Sequence, residues 1–429
     1  MPIQNHDVYY EQDPRAPMTQ LTLVFNGGGM QQEPENRTGL ARCAAKMLFR
    51  GTESLSRETI SRQFELLGAE VNAHVNETDF SISVSCFTKN LEAVMDLVLL
   101  LMNEASFPQQ ELDLMKKADL NQLEAALQDP ERVLSATHQF ILYDRRGLGK
   151  IGSRIAILEM TRGEIVDFFS NVRKTSVLYF TTISDAPQSA INQAVEPFIL
   201  GRNTDGFSLK PETNFREAVG REAFIVQSKE AKNDRLIWSQ PGLNATDDRR
   251  FDLSLVIDAL GSFEGFLFDE LRNKRGWCYG AYAFVTQATT RRGRIGYYAD
   301  PSLESSRQLV PELLRLLKVF PDEKGFRERL EERNATFKNR YAYQLDLKYK
   351  LLSRVARDRY GIPILDRDSY SRRIDGVTAS SARRVIEEVV QTERLSMVFY
   401  GDAERIQNIL KATDGSLPIA VLEKEQLIA

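Results

Sequence analysis

Gly39-Leu40-Ala41-Arg42-Cys43-Ala44-Ala45-Lys46-Met47-Leu48-Phe49-Arg50-Gly51-Thr52 is the stretch from which the rest of the chain is read. Leu40, Met47 and Leu48 give it an apolar stripe at helical spacing. Thr38 offers a hydroxyl to cap its start, and Gly51 stops it. The spacing predicts a short amphipathic helix. Arg42 and Lys46 stand at i and i+4 and so share one face. Taken alone, two cations on one helix face are an ordinary solvated surface.

Around this helix the chain alternates between strands and helices. Val8-Tyr9-Tyr10 and Leu21-Thr22-Leu23-Val24-Phe25 read as strands. Gly27-Gly28-Gly29 lacks the Lys-Ser/Thr of a phosphate loop and reads as a turn. Ser56 can cap a helix from Arg57 to Leu67 that Gly68 closes. Strands follow at Glu70 to Val75 and Thr78 to Cys86. In the second, Phe80, Ile82, Val84 and Cys86 alternate with Ser81, Ser83 and Ser85, so one face is buried. Helices then dominate, from Asn90 to Ala105, Pro108 to Leu127, Pro130 to Tyr143 and Thr161 to Val172. The last opens on a Thr161-x-x-Glu164 capping box, and Val177 to Ile183 returns to strand.

Residues 201–216 are rich in Gly, Asn, Asp, Thr and Pro, show no periodicity, and read as a linker. Beyond it the pattern repeats at a nearly constant offset. Phe107-Pro108 corresponds to Phe320-Pro321, each before a long helix, and Thr161 corresponds to Thr378. Tyr179-Phe180 leading to Asp185-Ala186 corresponds to Phe399-Tyr400 leading to Asp402-Ala403. The fold class expected is therefore α+β. Two homologous duplicated domains, 1–200 and 217–429, would each carry an antiparallel-rich sheet with helices packed on it.

Composition bounds the function. A chain of 429 residues is too long for one ordinary core. Its 42% hydrophobic and 27% charged content describes a soluble globular protein. A net charge of −4 makes nucleic acid a poor partner. The longest apolar run, Leu97 to Met102, is too short to span a bilayer, so no membrane partner is expected. Met1 to Asp7 is no signal peptide; the expected compartment is the cytoplasm, or the periplasm if a leader was trimmed. Cys43, Cys86 and Cys278 cannot all pair and read as buried free thiols. His6, His74 and His138 share no ligand spacing, and no nucleophile–base pair can be proposed.

In the second half, Ala223 to Gln227 and Arg235 to Ser239 read as strands and Asp247 to Leu260 as a helix. Then comes Phe263-Glu264-Gly265-Phe266-Leu267-Phe268-Asp269-Glu270-Leu271-Arg272-Asn273-Lys274-Arg275-Gly276-Trp277-Cys278-Tyr279-Gly280. A guanidinium offers a planar fork of donors suited to peptide carbonyls, and a phenol is a neutral donor that can face a developing oxyanion. In a purely structural reading, Arg272 pairs with Asp269 at i−3 and Tyr279 packs in a sheet.

Two stretches carry a resemblance. The Gly39–Thr52 segment is similar to the metal helix of the pitrilysin/insulinase zinc metallopeptidases, which include the mitochondrial processing peptidases and read Gly-Leu-Ala-His-x-x-Glu-His-Met-Leu-Phe-x-Gly-Thr. Arg42 and Lys46 stand where the two histidine ligands belong, and Ala45 where the glutamate base belongs. The family's third ligand, a glutamate, lies roughly 75 residues further on; there this chain has Gln122, shortly before Asp129-Pro130-Glu131. A guanidinium has no lone pair, and an ammonium has none until deprotonated, so no metal is expected in this chain. Asn72-Ala73, with Thr78 nearby, matches the family's Asn-Ala and implies substrate binding. The Arg272 to Tyr279 segment resembles the family's Leu-Arg-x-x-x-Gly-Leu-x-Tyr, with Trp277 for the usual leucine. The resemblance implies that Arg272 holds substrate carbonyls and that Tyr279 donates to the oxyanion, both reaching across to a zinc site.

Members of this family often work as two-chain clamshells, one chain bearing zinc. The resemblance thus implies a zinc-free subunit of a heterodimeric zinc metalloendopeptidase, inert alone, closing a chamber over an unfolded peptide. Its partner would be a homologous zinc-bearing subunit, which supplies the zinc, or a second copy if the chain is isolated. The alternative is a structural, assembly or peptide-binding pseudopeptidase with no proteolytic partner.

Overall fold

The structure is a computed structural model that describes residues 8–142, 152–200, 216, 218–287, 293–344, 346–362 and 365–428. In the first half the strands are β1 (Val8–Gln12), β2 (Met18–Asn26), β3 (Glu70–Val75), β4 (Asp79–Phe87) and β5 (Val177–Ser184). The helices are α1 (Leu40–Met47), α2 (Arg57–Leu66), α3 (Leu91–Glu104), α4 (Gln109–Ala126), α5 (Pro130–Leu142), α6 (Arg154–Glu159), α7 (Arg162–Thr175) and α8 (Gln188–Ile199). The second half has β6 (Glu222–Gln227), β7 (Arg235–Pro241), β8 (Cys278–Thr286), β9 (Arg294–Pro301), β10 (Ser396–Gly401) and β11 (Ile419–Leu422). Its helices are α9 (Arg250–Gly261), α10 (Phe266–Phe268), α11 (Ser306–Val319), α12 (Phe326–Gln344), α13 (Leu347–Tyr360), α14 (Arg367–Asp375), α15 (Ala379–Val389) and α16 (Ala403–Thr413).

The repeat read from the sequence is a repeat of topology. The first sheet has the order β1-β5-β2-β4-β3, and the second has β6-β10-β7-β9-β8 with β11 added outside β6. In both, the corresponding pair (β1 with β5, β6 with β10) is parallel and the pairs from β5 or β10 onward are antiparallel. Thr161 and Thr378 each close a capping box, with Glu164 and Ser381 respectively. Phe107 and Phe320 are both buried ahead of their long helices. The aspartates diverge. Asp402 caps α16 through the Arg405 amide, whereas Asp185 accepts from the Thr88 hydroxyl.

Each sheet packs one face on the helices of its own half. The alternation of β4 places Phe80, Ile82, Val84 and Cys86 in a core with Leu21, Leu23 and Phe25 of β2. The other face is covered in part by a helix from the opposite half. α5 lies on β7 and β10, burying Val133, Leu134 and Phe140 against Val226 and Val398. Reciprocally, α13 lies on β1 and β5, burying Leu351 and Val355 against Tyr9, Val24 and Tyr179. Each such aliphatic or aromatic side chain contributes about 1.5–3 kcal/mol on burial. A half-exposed ion pair such as Arg354–Glu11, at 2.7 Å, contributes about 0–1 kcal/mol. The exchange of helices is therefore held mainly by apolar contact, and polar groups fix its register. His138 Nε2 and Ser239 Oγ lie 2.6 Å apart in a buried hydrogen bond, and the Tyr360 hydroxyl accepts from Asn26 at 2.9 Å.

All three cysteines are free and buried, as read from the sequence. The linker expected at 201–216 lies outside the described residues except for Arg216, which pairs with Glu222 at 2.5 Å. Among the described residues no helix is long and apolar enough to cross a membrane.

Candidate functional site

The start of α1 corrects one expectation. Its cap is Gly39, at φ +98°, a conformation that favours glycine, and the Thr38 hydroxyl makes no capping bond. The Glu33 carboxylate takes over that role, accepting from the Gly39 and Ala41 amides at 3.0 and 2.8 Å. Burial nonetheless holds the Glu33 carboxyl above the usual range. The helix ends at Met47, a turn before Gly51.

Along α1, Arg42 is exposed and Lys46 half-buried, while Ala45 is packed into the first-half core. Lys46 Nζ lies 2.5 Å from Asp119 Oδ1 on α4. Gln122, one turn beyond Asp119, faces the same space. Arg42, Lys46 and Gln122 line one cavity of about 340 Å3, with Thr38 and Cys43 also on its wall. The fold thus brings together three of the four positions that the resemblance alone assigns to metal ligands and base. They do not fit a zinc ion: Arg42 has no lone pair to give, and Lys46 is turned to Asp119 and is not among the side chains that ligate zinc. Among the described residues no group of three or more His, Cys, Asp or Glu could hold a metal.

Arg272 is displayed differently. α10 runs on into a π-helical turn, Asp269–Asn273, and Gly276 at φ +67° releases the chain into β8. The guanidinium of Arg272 stacks between the rings of Phe268 and Tyr279, at 4.8 and 4.5 Å from their centroids. Asp269 is engaged by Lys274 and Arg329, each at 3.2 Å, so the alternative Arg272–Asp269 pair does not form. Among the described residues Arg272 makes no ion pair. Tyr279 is 72% exposed, at a register shift in β8 between Cys278 and Ala281. Neither side chain lines the cavity over α1.

Sequence reasoning missed the aromatic row in which this pair stands. Phe263 meets Phe268 at 4.9 Å, Phe268 stacks on Tyr282 at 6.3 Å, and Tyr282 stacks on Tyr298 at 6.1 Å. The row ends where the Tyr298 hydroxyl donates to Glu131 of α5 at 2.5 Å. The i, i+4 spacing of Phe268 and Arg272 was a legible signal. The facing of Tyr282 and Tyr298 needs the β8–β9 register.

Asn72 and Ala73 lie on β3, which among the described residues pairs only with β4 and leaves its other edge open. Asn72 is exposed and donates to Glu70 at 3.0 Å, and Ala73 turns toward the core. α1 packs beside this strand. Asn72 also lines a polar cavity of about 560 Å3, with Thr22, Ser81, Ser83 and Thr181 of the first sheet and Leu351 of α13.

A duplicated α+β chain that frames a metal-type helix in one half and an arginine–tyrosine motif in the other defines one half of a metallopeptidase-type clamshell. Residues 7–149 match the model of the insulinase family, peptidase family M16, and residues 159–329 match the peptidase M16 inactive domain. The chain belongs to peptidase family M16. It is 23% identical over 280 residues to an uncharacterised zinc protease of Streptomyces coelicolor, a match spanning 63% of this chain and 60% of that protein. It is 27% identical over 150 residues to the mitochondrial ubiquinol-cytochrome-c reductase complex core protein I of Euglena gracilis, spanning 34% and 30% of the two chains. The crystal structure of a peptidase M16 inactive domain from Pseudomonas fluorescens superposes with a TM-score of 0.79 at 18% identity, covering 93% of this chain and 96% of that one.

Proposed function

We propose that this chain is the zinc-free subunit of a two-chain M16 metalloendopeptidase acting on unfolded peptides. The observation that carries this reading is a contrast between the two halves. Lys46 is locked to Asp119 where a ligand would stand, while Arg272 stacks beside an exposed phenol and makes no ion pair among the described residues. A structural chain has no need of an unpaired cation held on two aromatic faces; a substrate clamp does. In this reading the peptide adds as a strand along the open edge of β3, near Asn72 and Ala73. Such pairing fixes the backbone while asking little of its sequence. Arg272 donates to peptide carbonyls, the Tyr279 hydroxyl donates to the oxygen on which charge develops, and a homologous zinc-bearing partner supplies the metal.

The test is reconstitution. Alone, the purified chain should cleave nothing. Mixed with a cognate homologue bearing His-x-x-Glu-His, it should confer peptidase activity that Arg272→Ala or Tyr279→Phe removes. Full activity with both substitutions would leave the second reading, a structural or assembly role without a proteolytic partner. The relative that is a core protein of a respiratory complex favours that second reading.

A further inference from the structure

The altered metal cavity has its own chemistry. Its wall carries four cations (Arg42, Lys46, Lys116 and Arg132) against two carboxylates, Glu33 and Asp119. Both carboxylates are engaged, Glu33 by the amides that open α1 and Asp119 by Lys46. Lys116 donates to the Leu158 carbonyl at 2.9 Å, and Arg132 pairs with Asp129 at 3.4 Å. Arg42 remains: it makes no ion pair among the described residues, and its charge acts on Glu33 only through space. One helical turn before Arg42, Thr38 lines the same cavity; it is only 8% exposed, and its buried hydroxyl has no hydrogen-bond partner among the described residues. A buried donor left unmade costs about 1–3 kcal/mol, which a ligand oxygen would recover. Beside these and Gln122 the wall is apolar, with Met115, Leu123, Ile157 and Met160.

We propose that this cavity binds a small carboxylate with an apolar tail, its head held by the Arg42 guanidinium and the Thr38 hydroxyl and its tail against Met115, Leu123 and Met160. A charged fork and a hydroxyl donor match a carboxylate head, and the apolar wall rejects a hydrated inorganic anion. The volume of about 340 Å3 suits one apolar amino-acid residue or a short aliphatic acid. A free acid and the C-terminal residue of a peptide share this chemistry. The site is independent of the proposed clamp, since none of its residues comes from the Arg272–Tyr279 motif.

The experiment is calorimetric titration of the full chain with N-acetyl-leucine, N-acetyl-leucine amide, hexanoate, the tripeptide Ala-Ala-Leu and inorganic phosphate. Saturable binding of N-acetyl-leucine, with loss of about tenfold or more for its amide, is expected. Arg42→Gln, on an exposed face, should weaken that binding by about tenfold or more, and Thr38→Val by several-fold. Tighter binding of Ala-Ala-Leu than of hexanoate identifies a peptide terminus as the source; the reverse identifies a free acid. The proposal is overturned if no acid saturates, if acid and amide bind alike, if phosphate binds as well as the acids, or if Arg42→Gln leaves the affinity unchanged.

Discussion

The Lys46 ammonium lies 2.5 Å from the Asp119 carboxylate, joining α1 to α4, the helix that bears Gln122. This pair is half-buried, so it contributes more than a solvated one but well short of a fully buried pair. Lys46→Ala leaves Asp119 with a partly desolvated charge and is expected to destabilise the chain by about 1–2 kcal/mol. The double variant Lys46→Ala/Asp119→Ala should recover part of that loss. Urea midpoints of the two single variants and the double give the coupling energy, and strictly additive losses would show that the two groups do not interact.

If the cavity is an altered metal site, restoring ligands should restore metal. Arg42→His, Lys46→His and Gln122→Glu together place two imidazoles at i and i+4 opposite a carboxylate on α4. Ala45 is left alone because it is packed in the core, where a glutamate would be buried without a partner. The triple variant is expected to retain about one zinc per chain after dialysis, and the parent none. Atomic absorption decides it: no zinc in the variant would mean that α1 and α4 do not present these positions to a common point.

Much of this was legible in the sequence, and what was not has identifiable causes. Strand alternation, the Ser56 and Thr161 caps and the repeat of Phe-Pro, Thr and aromatic landmarks are local patterns, so the two α+β halves could be read from them. The cap of α1 could not. The Thr38 hydroxyl sits next to the helix start but does not turn to it, and Glu33 reaches the amides from a preceding loop. Nor could the exchange of α5 and α13 be read, because an amphipathic helix encodes which face is buried but not which sheet buries it. Gln122 was legible only through the resemblance, by the family's spacing to its third ligand. Asp119 as the partner of Lys46 was not, since it depends on how α4 crosses α1.

The exchange makes one contact titratable. His138, on α5, is fully buried against Ser239 of β7, and burial together with the nearby Arg294 holds its ring well below the ordinary histidine value. Above about pH 6.5 the ring is neutral in both folded and unfolded chains, and no penalty arises. As the pH falls below that value, the unfolded chain takes up a proton that the folded one refuses. Stability therefore declines with falling pH until the folded-state value is reached. The expected loss between pH 7.5 and 5.5 is about 1 kcal/mol from this residue. His138→Gln removes the titration, so its urea midpoint should fall less over that interval than the parent's. Equal falls would remove His138 from the account.

The proposed roles of Arg272 and Tyr279 separate kinetically. A guanidinium that grips peptide carbonyls acts on bound substrate and transition state alike, so Arg272→Ala in the reconstituted pair should raise KM more than it lowers kcat. A phenol that donates to a developing oxyanion acts mainly in the transition state. Tyr279→Phe should lower kcat by about 10²-fold with little change in KM. Arg272→Lys sharpens the assignment, because an ammonium keeps the charge but loses the planar fork and the stacking on Phe268 and Tyr279. It should fall nearer to alanine than to the parent. If lysine restores full activity, net charge rather than directed hydrogen bonding is what the site requires, and the clamp as drawn is wrong.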